Sequence, residues 1–517
     1  MSDTVGHLLR LRAVDDPTKL AVIDPTTRID YAELDLTTRV LAGKFVEAGV
    51  GKGTHVGLIM PNGVRWVQIA FALTRIGAVL VPLSTLLQPP ELLAQLRIAS
   101  VQYLVTVEEF RGHRYIEGVA TELGLASPCE HLIHHSELPA LRRIWIADAL
   151  DEMPAGGAAP GIVDALAAAV TPADPLVVMF TSGSSGMPKG VIHSHGNALG
   201  AVRSSLAPRC IDADTRLYLP MPFFWVGGFG SGILSALLAA ATLVTEPKPQ
   251  PEATLRLLER ERVTLFRGWP DQAETLARQA DTVGADLSSL RPGSLDALLP
   301  PELRARPGAR AMLFGMTEAF GPYCGYPADT DMPESAWGSC GKPFDGMEVR
   351  IVDVDDGAPV HPGSVGMIQI RGPHTLRGIC RRSREELFTV DGFYPTGDLG
   401  HFDHDGFMFY HGRSDDMFKV SGATVYPSEV EQALRTLDGV DNVFVTNVPT
   451  DHGDRVGAFI ICDDKTTVSA LRSAARTLLS SFKVPTVWLL SDAEDDVPRG
   501  PTGKVDIRQL REMLTKA

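Results

Sequence analysis

Cysteine, positive charge and long apolar segments are all scarce in this sequence of 517 residues, and each scarcity excludes a class of protein. The six cysteines, at positions 129, 210, 324, 340, 380 and 462, include no Cys-x-x-Cys pair. That spacing argues against a disulfide scaffold or a zinc site and predicts reduced thiols. The most apolar stretch, residues 233–244, is too short to cross a bilayer, and the N-terminus has no signal-peptide pattern. We therefore expect a cytoplasmic protein without integral membrane association.

The charge balance narrows the range of partners. The sequence has 48 Lys and Arg against 63 Asp and Glu, a net charge of −15. Duplex nucleic acid and anionic membranes both require a basic face, so neither is an expected partner. A small anionic ligand remains compatible with this balance, because one site can be locally positive.

The hydrophobic pattern predicts an α/β protein of several domains. Between residues 20 and 107, short apolar runs alternate with helix-period segments. The alternation returns as a strand at residues 176–180, a loop and a helix from about Gly196, and again at residues 242–266. Such alternation predicts parallel sheets covered by helices. After about residue 340, period-two segments between Gly and Pro turns predict antiparallel hairpins in a small barrel. A compact α+β segment follows from residue 413, where Ser428 and Glu431 form a capping-box pattern that opens a helix.

The strongest local signal for a ligand site is Thr-Ser-Gly-Ser-Ser-Gly-Met-Pro-Lys-Gly at residues 181–190, directly after an apolar strand. Three glycines let the backbone approach an anion, the hydroxyls and N–H groups are donors, and Lys189 adds a positive charge. The spacing is neither that of a Walker A loop nor that of a nucleophile elbow. His193 and His195 flank the loop, and we expect them to pack or to brace it.

This decapeptide resembles the phosphate loop of the adenylate-forming superfamily, which includes acyl-CoA synthetases, peptide-synthetase adenylation domains and luciferases. Four further motifs of that superfamily follow in order: Phe-Gly-Met-Thr-Glu at 314–318, Tyr-Pro-Thr-Gly-Asp at 394–398, Gly-Arg-Ser-Asp-Asp-Met-Phe-Lys at 412–419 and Pro-Arg-Gly-Pro-Thr-Gly-Lys at 498–504. Together they cover almost the whole chain. The resemblance implies a large N-terminal domain, residues 1–412, of two doubly wound sheets with a small β-barrel subdomain at about 340–412. A small mobile α+β domain, residues 413–517, would follow it.

The resemblance also implies ATP, Mg²⁺ and CoA as ligands and assigns roles to particular residues. Lys504 would bridge the acyl carboxylate and the α-phosphate, Thr317 would donate to the α-phosphate, and Glu318 would bind Mg²⁺. Asp398 would accept the ribose hydroxyls with Arg413 beside it, and Asp415 would be the hinge. The remaining nucleotide- and CoA-binding residues implied are Thr181, Ser182, Gly183, Ser184, Ser185, Gly186, Lys189, Phe314, Gly315, Lys419, Ser421 and Gly422.

A roomy apolar pocket for the acid is expected around Phe223, Phe224, Trp225, Gly228 and Phe229. Trp225 stands where relatives often carry histidine, and Phe314 replaces the more usual tyrosine. Residues 292–303 are several residues shorter than the Gly-Gly-Ala-type turn that holds adenine in the family. A medium- or long-chain fatty acid is the first choice of substrate, and a bulky ring-bearing acid is the second.

The motifs are compatible with three functions. The leading one is an ATP-dependent acid–CoA ligase (an AMP-forming acyl-CoA synthetase), which forms an acyl-adenylate and then a thioester. In the second, a carrier protein or an amine accepts the acyl group. The third is a nucleotide-binding relative whose chemistry has weakened. A homodimer is compatible with all three.

Overall fold

The computed structural model describes residues 4–126, 129, 132–153, 160–181, 188–414, 418–420, 423–450, 453–479, 481–500 and 503–517. Two compact units share the chain. The first contains residues 1–348 and 371–394, and the second contains residues 349–370 and 395–517. Residues 395–412 thus group with the C-terminal segment, and a domain boundary at residue 413 stays a prediction. No helix among the described residues is long and apolar enough to span a bilayer.

Helices and strands alternate along most of the chain. The helices are α1 Val5–Asp15, α2 Tyr31–Glu47, α3 Val64–Arg75, α4 Pro89–Ile98, α5 Tyr115–Leu123, α6 Pro160–Ala168, α7 His195–Leu206, α8 Val226–Gly228, α9 Ser235–Ala239, α10 Pro251–Arg260, α11 Pro270–Val283, α12 Arg384–Leu387, α13 Pro427–Arg435, α14 Val468–Leu478 and α15 Ile507–Lys516. The strands are β1 Leu20–Ile23, β2 Arg28–Asp30, β3 His55–Ile59, β4 Val79–Pro82, β5 Tyr103–Thr106, β6 Arg143–Ile146, β7 Pro175–Thr181, β8 Lys189–Ser194, β9 Arg216–Tyr218, β10 Thr242–Val244, β11 Leu265–Phe266, β12 Phe314–Met316, β13 Gly321–Gly325, β14 Lys342–Pro343, β15 Glu348–Val352, β16 Gly366–Arg371, β17 Gly378–Ile379, β18 Tyr394–Phe402, β19 Met408–Arg413, β20 Phe418–Val420, β21 Ala423–Val425, β22 Val440–Thr450, β23 Gly453–Cys462 and β24 Val487–Ser491.

Two mainly parallel sheets form the frame of the first unit. The larger sheet has the order β17-β8-β7-β4-β3-β5-β6, and the smaller has the order β11-β9-β10-β1-β2. The neighbouring strands among β3, β4, β5, β6 and β7 pair in parallel. β8 pairs antiparallel with β7, and β17 pairs antiparallel with β8. In the smaller sheet only β2 is antiparallel. The α/β class predicted from the alternation of apolar runs is thereby confirmed.

Helix α3 shows how the sequence forms the core that supports the site. Ten of its side chains are buried, so it is apolar on nearly every face, as expected of a helix enclosed by other elements. Its fully buried Trp66 packs against Phe223 at 5.3 Å and against Phe229 at 5.8 Å between ring centroids. Aromatic pairs at these distances fix the segment that follows β9.

The β-rich segment has a four-stranded sheet in the order β15-β16-β18-β19, and the C-terminal segment has a three-stranded sheet in the order β22-β23-β24. Closure of the first sheet into a barrel stays a prediction. The predicted capping box is wrong: helix α13 begins at Pro427 with Tyr426 as N-cap and no side-chain cap. Ser428 instead donates to the carbonyl of His411, and Glu431 accepts from the Val445 N–H at 2.9 Å. Tertiary partners have replaced the local ones.

Candidate active site

The two ends of the glycine-rich loop form an antiparallel hairpin. Thr181 ends β7 and pairs with Lys189, which begins β8, and both are half-buried. The sequence predicted strand, loop and helix, but a further strand, β8, precedes α7 and pairs antiparallel with β7. Ser182, Gly183, Ser184, Ser185 and Gly186, predicted to hold phosphates, lie outside the described residues. Thr181 and Lys189 therefore mark where the loop leaves and rejoins the sheet.

The motif at residues 314–318 is a second tight hairpin. β12 pairs antiparallel with β13, and a 3₁₀ turn at Thr317–Ala319 joins them. A Cβ at Gly315 would lie 2.3 Å from the carbonyl oxygen of Gly321, so only glycine allows the two strands to approach this closely. The ring of Phe314 meets Tyr323 edge-on at 5.5 Å. The hairpin places Thr317 and Glu318 at its turn.

Three neighbours hold the turn. The carbonyl of Thr317 accepts from His193 Nε2 at 2.8 Å, and the carbonyl of Glu318 accepts from the Leu376 N–H at 2.7 Å. The Tyr394 hydroxyl donates to Glu318 Oε1 at 3.2 Å. Glu318 is 8 % exposed, and no described residue donates to its Oε2. One carboxylate oxygen is thus available to a cation, and a hard oxygen ligand in this position fits Mg²⁺.

His193 is neutral and has a defined tautomer. Its Nδ1 accepts from Asn197 Nδ2 at 2.7 Å, so the proton is on Nε2, which donates to Thr317. Burial lowers the pKa of His193 to about 3. Asn197 is in the first turn of α7, and its Oδ1 accepts from the Ser194 N–H at 2.6 Å. The start of α7 is thereby connected to the turn that carries Thr317, as the expected bracing role requires.

The segment expected to form the acid pocket is part core and part surface. Phe223 and Phe229 are fully buried and pack on α3, and Phe224 is 7 % exposed. Trp225 is half-buried, and its ring meets that of Trp269 at 6.1 Å and 88°. These two indoles, rather than the three phenylalanines, can face a ligand.

Gly228 has a steric reason to be glycine. A Cβ there would lie 2.1 Å from the carbonyl oxygen of Pro222. Asn62 holds the same segment, because its Nδ2 donates to the Met221 carbonyl and its Oδ1 accepts from the Phe223 N–H, both at 2.9 Å. The shape of the segment therefore depends on one close backbone approach and one asparagine.

The predicted ribose residues lie in the second unit. Asp398 and Arg413 are cross-strand partners in β18 and β19, and Arg413 Nη1 is 3.3 Å from Asp398 Oδ1. The same nitrogen donates to the Thr396 carbonyl at 2.9 Å, and the Asp398 N–H donates to Thr396 Oγ1 at 3.0 Å. The Asp398 side chain is 9 % exposed, against 34 % for Arg413. A carboxylate aligned in this way can accept two hydroxyls.

Lys504 lies beside the bridge that closes a short turn near the C-terminus. The Gly500 N–H donates to its carbonyl at 2.8 Å, Arg499 pairs with Val505, and the Lys504 side chain is exposed. An exposed lysine on a turn is free to reach a ligand. The backbone of Lys419 belongs to β20, whereas Asp415, Ser421 and Gly422 lie outside the described residues.

Sequence reasoning did not select Tyr394, Asn197, Asn62 or Trp269 as site residues. Tyr394 opens a motif that was recognised for its aspartate, so its position offered a signal. The hydrogen bond from the Phe223 N–H to Asn62 Oδ1 crosses 161 residues, and that from His193 Nε2 to the Thr317 carbonyl crosses 124. No local pattern predicts contacts of that separation.

Taken unit by unit, the carboxylate of Glu318 in the first unit and the pair of Asp398 and Arg413 in the second are side chains of the kinds that a nucleotide-dependent enzyme requires. The family described as AMP-binding enzyme matches residues 9–380. A methyl-dioxo-octahydroindenyl-propanoyl:CoA ligase from Mycobacterium tuberculosis is 31% identical, with 96% of each chain covered. An indoleacetate–CoA ligase from Aromatoleum aromaticum is 29% identical, again over 96% of each chain.

A solved anthranilate–CoA ligase in complex with anthranoyl-AMP superposes with a TM-score of 0.82 at 22% identity, covering 100% of this chain and 98% of that one. At this identity the likeness shows the fold. The chain belongs to the AMP-binding enzyme family. The predicted class, an AMP-forming acyl-CoA synthetase that uses ATP, Mg²⁺ and CoA, is confirmed.

Proposed function

We propose that this chain activates a hydrophobic, ring-bearing carboxylic acid as its acyl-adenylate and transfers the acyl group to CoA. One observation carries the nucleotide step: the carbonyls of Thr317 and Glu318 and the Glu318 carboxylate are each held by a separate partner. A hydrogen-bond donor such as Thr317 and a cation ligand such as Glu318 lower the activation barrier most when they are held in place and need no reorganisation during the reaction. Two observations support a ring in the substrate. The indoles of Trp225 and Trp269 offer aromatic faces to it, and the names of two relatives specify ring-bearing acids.

In the first step, an oxygen of the acid attacks the α-phosphorus of ATP, and pyrophosphate leaves. Mg²⁺, when bound, supplies positive charge to the phosphate oxygens. Glu318 would hold that ion, Thr317 would donate to the α-phosphate, and Thr181 and Lys189 would flank the leaving phosphates. Lys504 would reduce the repulsion between the two anions that must meet.

In the second step, the CoA thiol loses its proton to solvent and its sulfur attacks the acyl carbonyl carbon. The bond between that carbon and the phosphate oxygen breaks, and AMP leaves as an anion. We propose that Asp398 and Arg413 hold the ribose throughout and that residue 415 is a hinge for the small domain, residues 413–517. The hinge brings residues 419–422 to CoA after Lys504 has left. A cytoplasmic location and assembly as a homodimer belong to the proposal as well.

Pyrophosphate release and CoA-thioester formation, measured with the purified full chain over a panel of acids, test the function. We expect ring-bearing acids to exceed medium- and long-chain fatty acids in kcat/KM. A preference for fatty acids would overturn the proposed substrate class but would leave the assignment as an acid–CoA ligase intact. No pyrophosphate from any acid, in a folded protein, would contradict the adenylation itself.

Lys504→Ala separates the two steps, with Lys516→Ala as its control because Lys516 is another exposed lysine of the same segment. We expect Lys504→Ala to lose adenylation and to keep thioester formation from a preformed acyl-adenylate. Lys516→Ala should keep both activities. Equal loss of both steps in Lys504→Ala would contradict the role proposed for this lysine. It would also contradict the hinge motion that replaces Lys504 by residues 419–422 in the second step.

A further inference from the structure

Two deeply placed arginines lie outside the adenylation chemistry described above. Arg209 follows α7 and is 3 % exposed, and Arg267 follows β11 and is half-buried. Burial, together with the charge of Arg267, lowers the pKa of Arg209 to about 9, and burial lowers the pKa of Arg267 to about 10. Both guanidinium groups are nevertheless protonated at neutral pH, so two positive charges are held in a poorly solvated region.

The hydrogen bonds of this arginine pair go to neutral groups. Arg209 donates from Nη1 to Ser235 Oγ at 2.9 Å and from Nη2 to the Ser231 carbonyl at 2.6 Å. Arg267 Nη2 donates to the Arg209 carbonyl at 2.9 Å, and Arg267 Nε is inaccessible and has no partner. Across the described ranges, neither guanidinium forms an ion pair. The exposed Asp329 raises the pKa of Arg267 only through space.

The arginine pair is connected to the segments expected to line the acid pocket, through the chain for Arg267 and through a hydrogen bond for Arg209. Arg267 is two residues before Trp269, whose indole meets that of Trp225. Arg209 holds Ser231, which lies in the π-helical turn Phe229–Leu234 directly after the pocket segment.

The same π-helical turn lies beside the Thr317–Glu318 hairpin. A Cβ at Gly321, the first residue of β13, would be 3.8 Å from Ser231 Oγ. π-Helical turns are uncommon and often occur at functional sites. An acid with its reacting carboxyl group at Thr317 would therefore extend along Ser231 and the two indoles toward the arginine pair.

We propose that Arg267, positioned by Arg209, binds a second carboxylate at the end of the acid remote from the reacting group. The preferred substrates are then ring-bearing dicarboxylic acids. This inference rests on the proposed function and narrows its substrate class. Buried cations that form no ion pair favour an anion over a neutral acceptor, because their field is weakly screened there. A guanidinium also matches the planar geometry of a carboxylate.

Three acids with one carbon skeleton and different para substituents test the proposal. They are phenylpropanoate, its para-acetyl derivative and its para-carboxy derivative. Pyrophosphate release and acyl-CoA formation by the wild-type chain give kcat/KM for each. We expect the para-carboxy acid to exceed phenylpropanoate by about tenfold or more, since a charged site discriminates strongly against an analogue without the partner group. The para-acetyl acid should fall between them.

Arg267→Met should remove the preference for the para-carboxy acid and leave kcat/KM for phenylpropanoate within about twofold. Arg291→Met is the matched control, because Arg291 is also half-buried but is paired with Asp212 at 3.2 Å. It should keep the wild-type preference.

Equal wild-type rates with phenylpropanoate and the para-carboxy acid would overturn the inference, even if Arg267→Met did not fold. A higher kcat/KM for the para-acetyl acid than for the para-carboxy acid would overturn the choice of an anion. Absence of pyrophosphate from all three acids and from the wider panel would instead refute the proposed function. The two failures are therefore distinguishable.

Discussion

His193→Phe tests whether the turn carrying Thr317 and Glu318 is positioned from behind. Phenylalanine keeps the ring and its edge-to-face contact with Phe320, at 4.8 Å and 64° in the wild type, and removes both hydrogen bonds of the imidazole. The Thr317 carbonyl loses one of its two donors and keeps the Phe320 N–H at 2.9 Å. Asn197 Nδ2 loses one acceptor and keeps the carbonyl of His374 at 3.2 Å.

The magnitude follows from these losses. A buried polar group left without a partner costs about 1–3 kcal/mol. Because the Thr317 carbonyl and Asn197 Nδ2 each keep one partner, we expect His193→Phe to lower the free energy of unfolding by less than two orphaned groups would, about 1–3 kcal/mol for the two lost hydrogen bonds. The turn also gains freedom, and a small misplacement of catalytic groups lowers kcat/KM for Mg²⁺-ATP by about tenfold to a hundredfold.

His195→Phe is the matched control for the assay. His195 is likewise fully buried, and its Nδ1 accepts from the Val5 N–H at 3.2 Å, on α1. Urea unfolding should show destabilisation in both variants. Pyrophosphate release at varied Mg²⁺-ATP should be impaired in His193→Phe alone. An unchanged kcat/KM in His193→Phe, or an equal loss in both variants, would refute the positioning role.

Three other outcomes are expected. Tyr394→Phe removes the donor to Glu318 Oε1, so half-saturation by Mg²⁺ in the pyrophosphate assay should rise by about tenfold, as for a lost bond to a charged group; an unchanged Mg²⁺ dependence would contradict that role. Arg413→Lys should raise KM for ATP more than it lowers kcat, because an ammonium does not reproduce the guanidinium contacts with Asp398 and the Thr396 carbonyl; a pure kcat effect would count against ribose binding. The depressed pKa of His193, about 3, contributes stability that is present above the unfolded value near 6.5 and is lost as the pH falls toward 3. Between pH 6.5 and pH 5, the free energy of unfolding measured in urea should therefore fall by about 1.5–2 kcal/mol more in the wild type than in His193→Phe. Equal decreases in the two proteins would contradict a neutral His193.

The larger part of the fold was predictable because its signals are local. Apolar runs of strand length and amphipathic helices gave the parallel sheets, and Gly and Pro turns marked the later hairpins. β8 was missed because it lies between a loop and a helix, and only its pairing with β7 makes it a strand. The capping box at Ser428 failed for the same reason, since its hydroxyl finds the carbonyl of His411, 17 residues away, before a local N–H.

The candidate site divides in the same way. Short motifs gave Glu318, Asp398, Arg413 and Lys504, because each motif is compact in sequence. The groups that hold them come from elsewhere: His193 is 124 residues from Thr317, and Tyr394 is 76 residues from Glu318. Such contacts are set by how the sheets pack, which a sequence pattern with a period of two or 3.6 does not encode.

The motif at residues 314–318 combines ligand chemistry with backbone geometry. Gly315 is required by the carbonyl of Gly321, and Phe320 has a φ of 55°, which turns the chain back into β13. A substitution at either position would displace Thr317 and Glu318 without removing a ligand contact. Loss of activity in Gly315→Ala would therefore report on the hairpin, whereas loss in Tyr394→Phe with normal stability would report on the proposed cation site. The two classes of variant separate the residues proposed to bind from those that shape the turn.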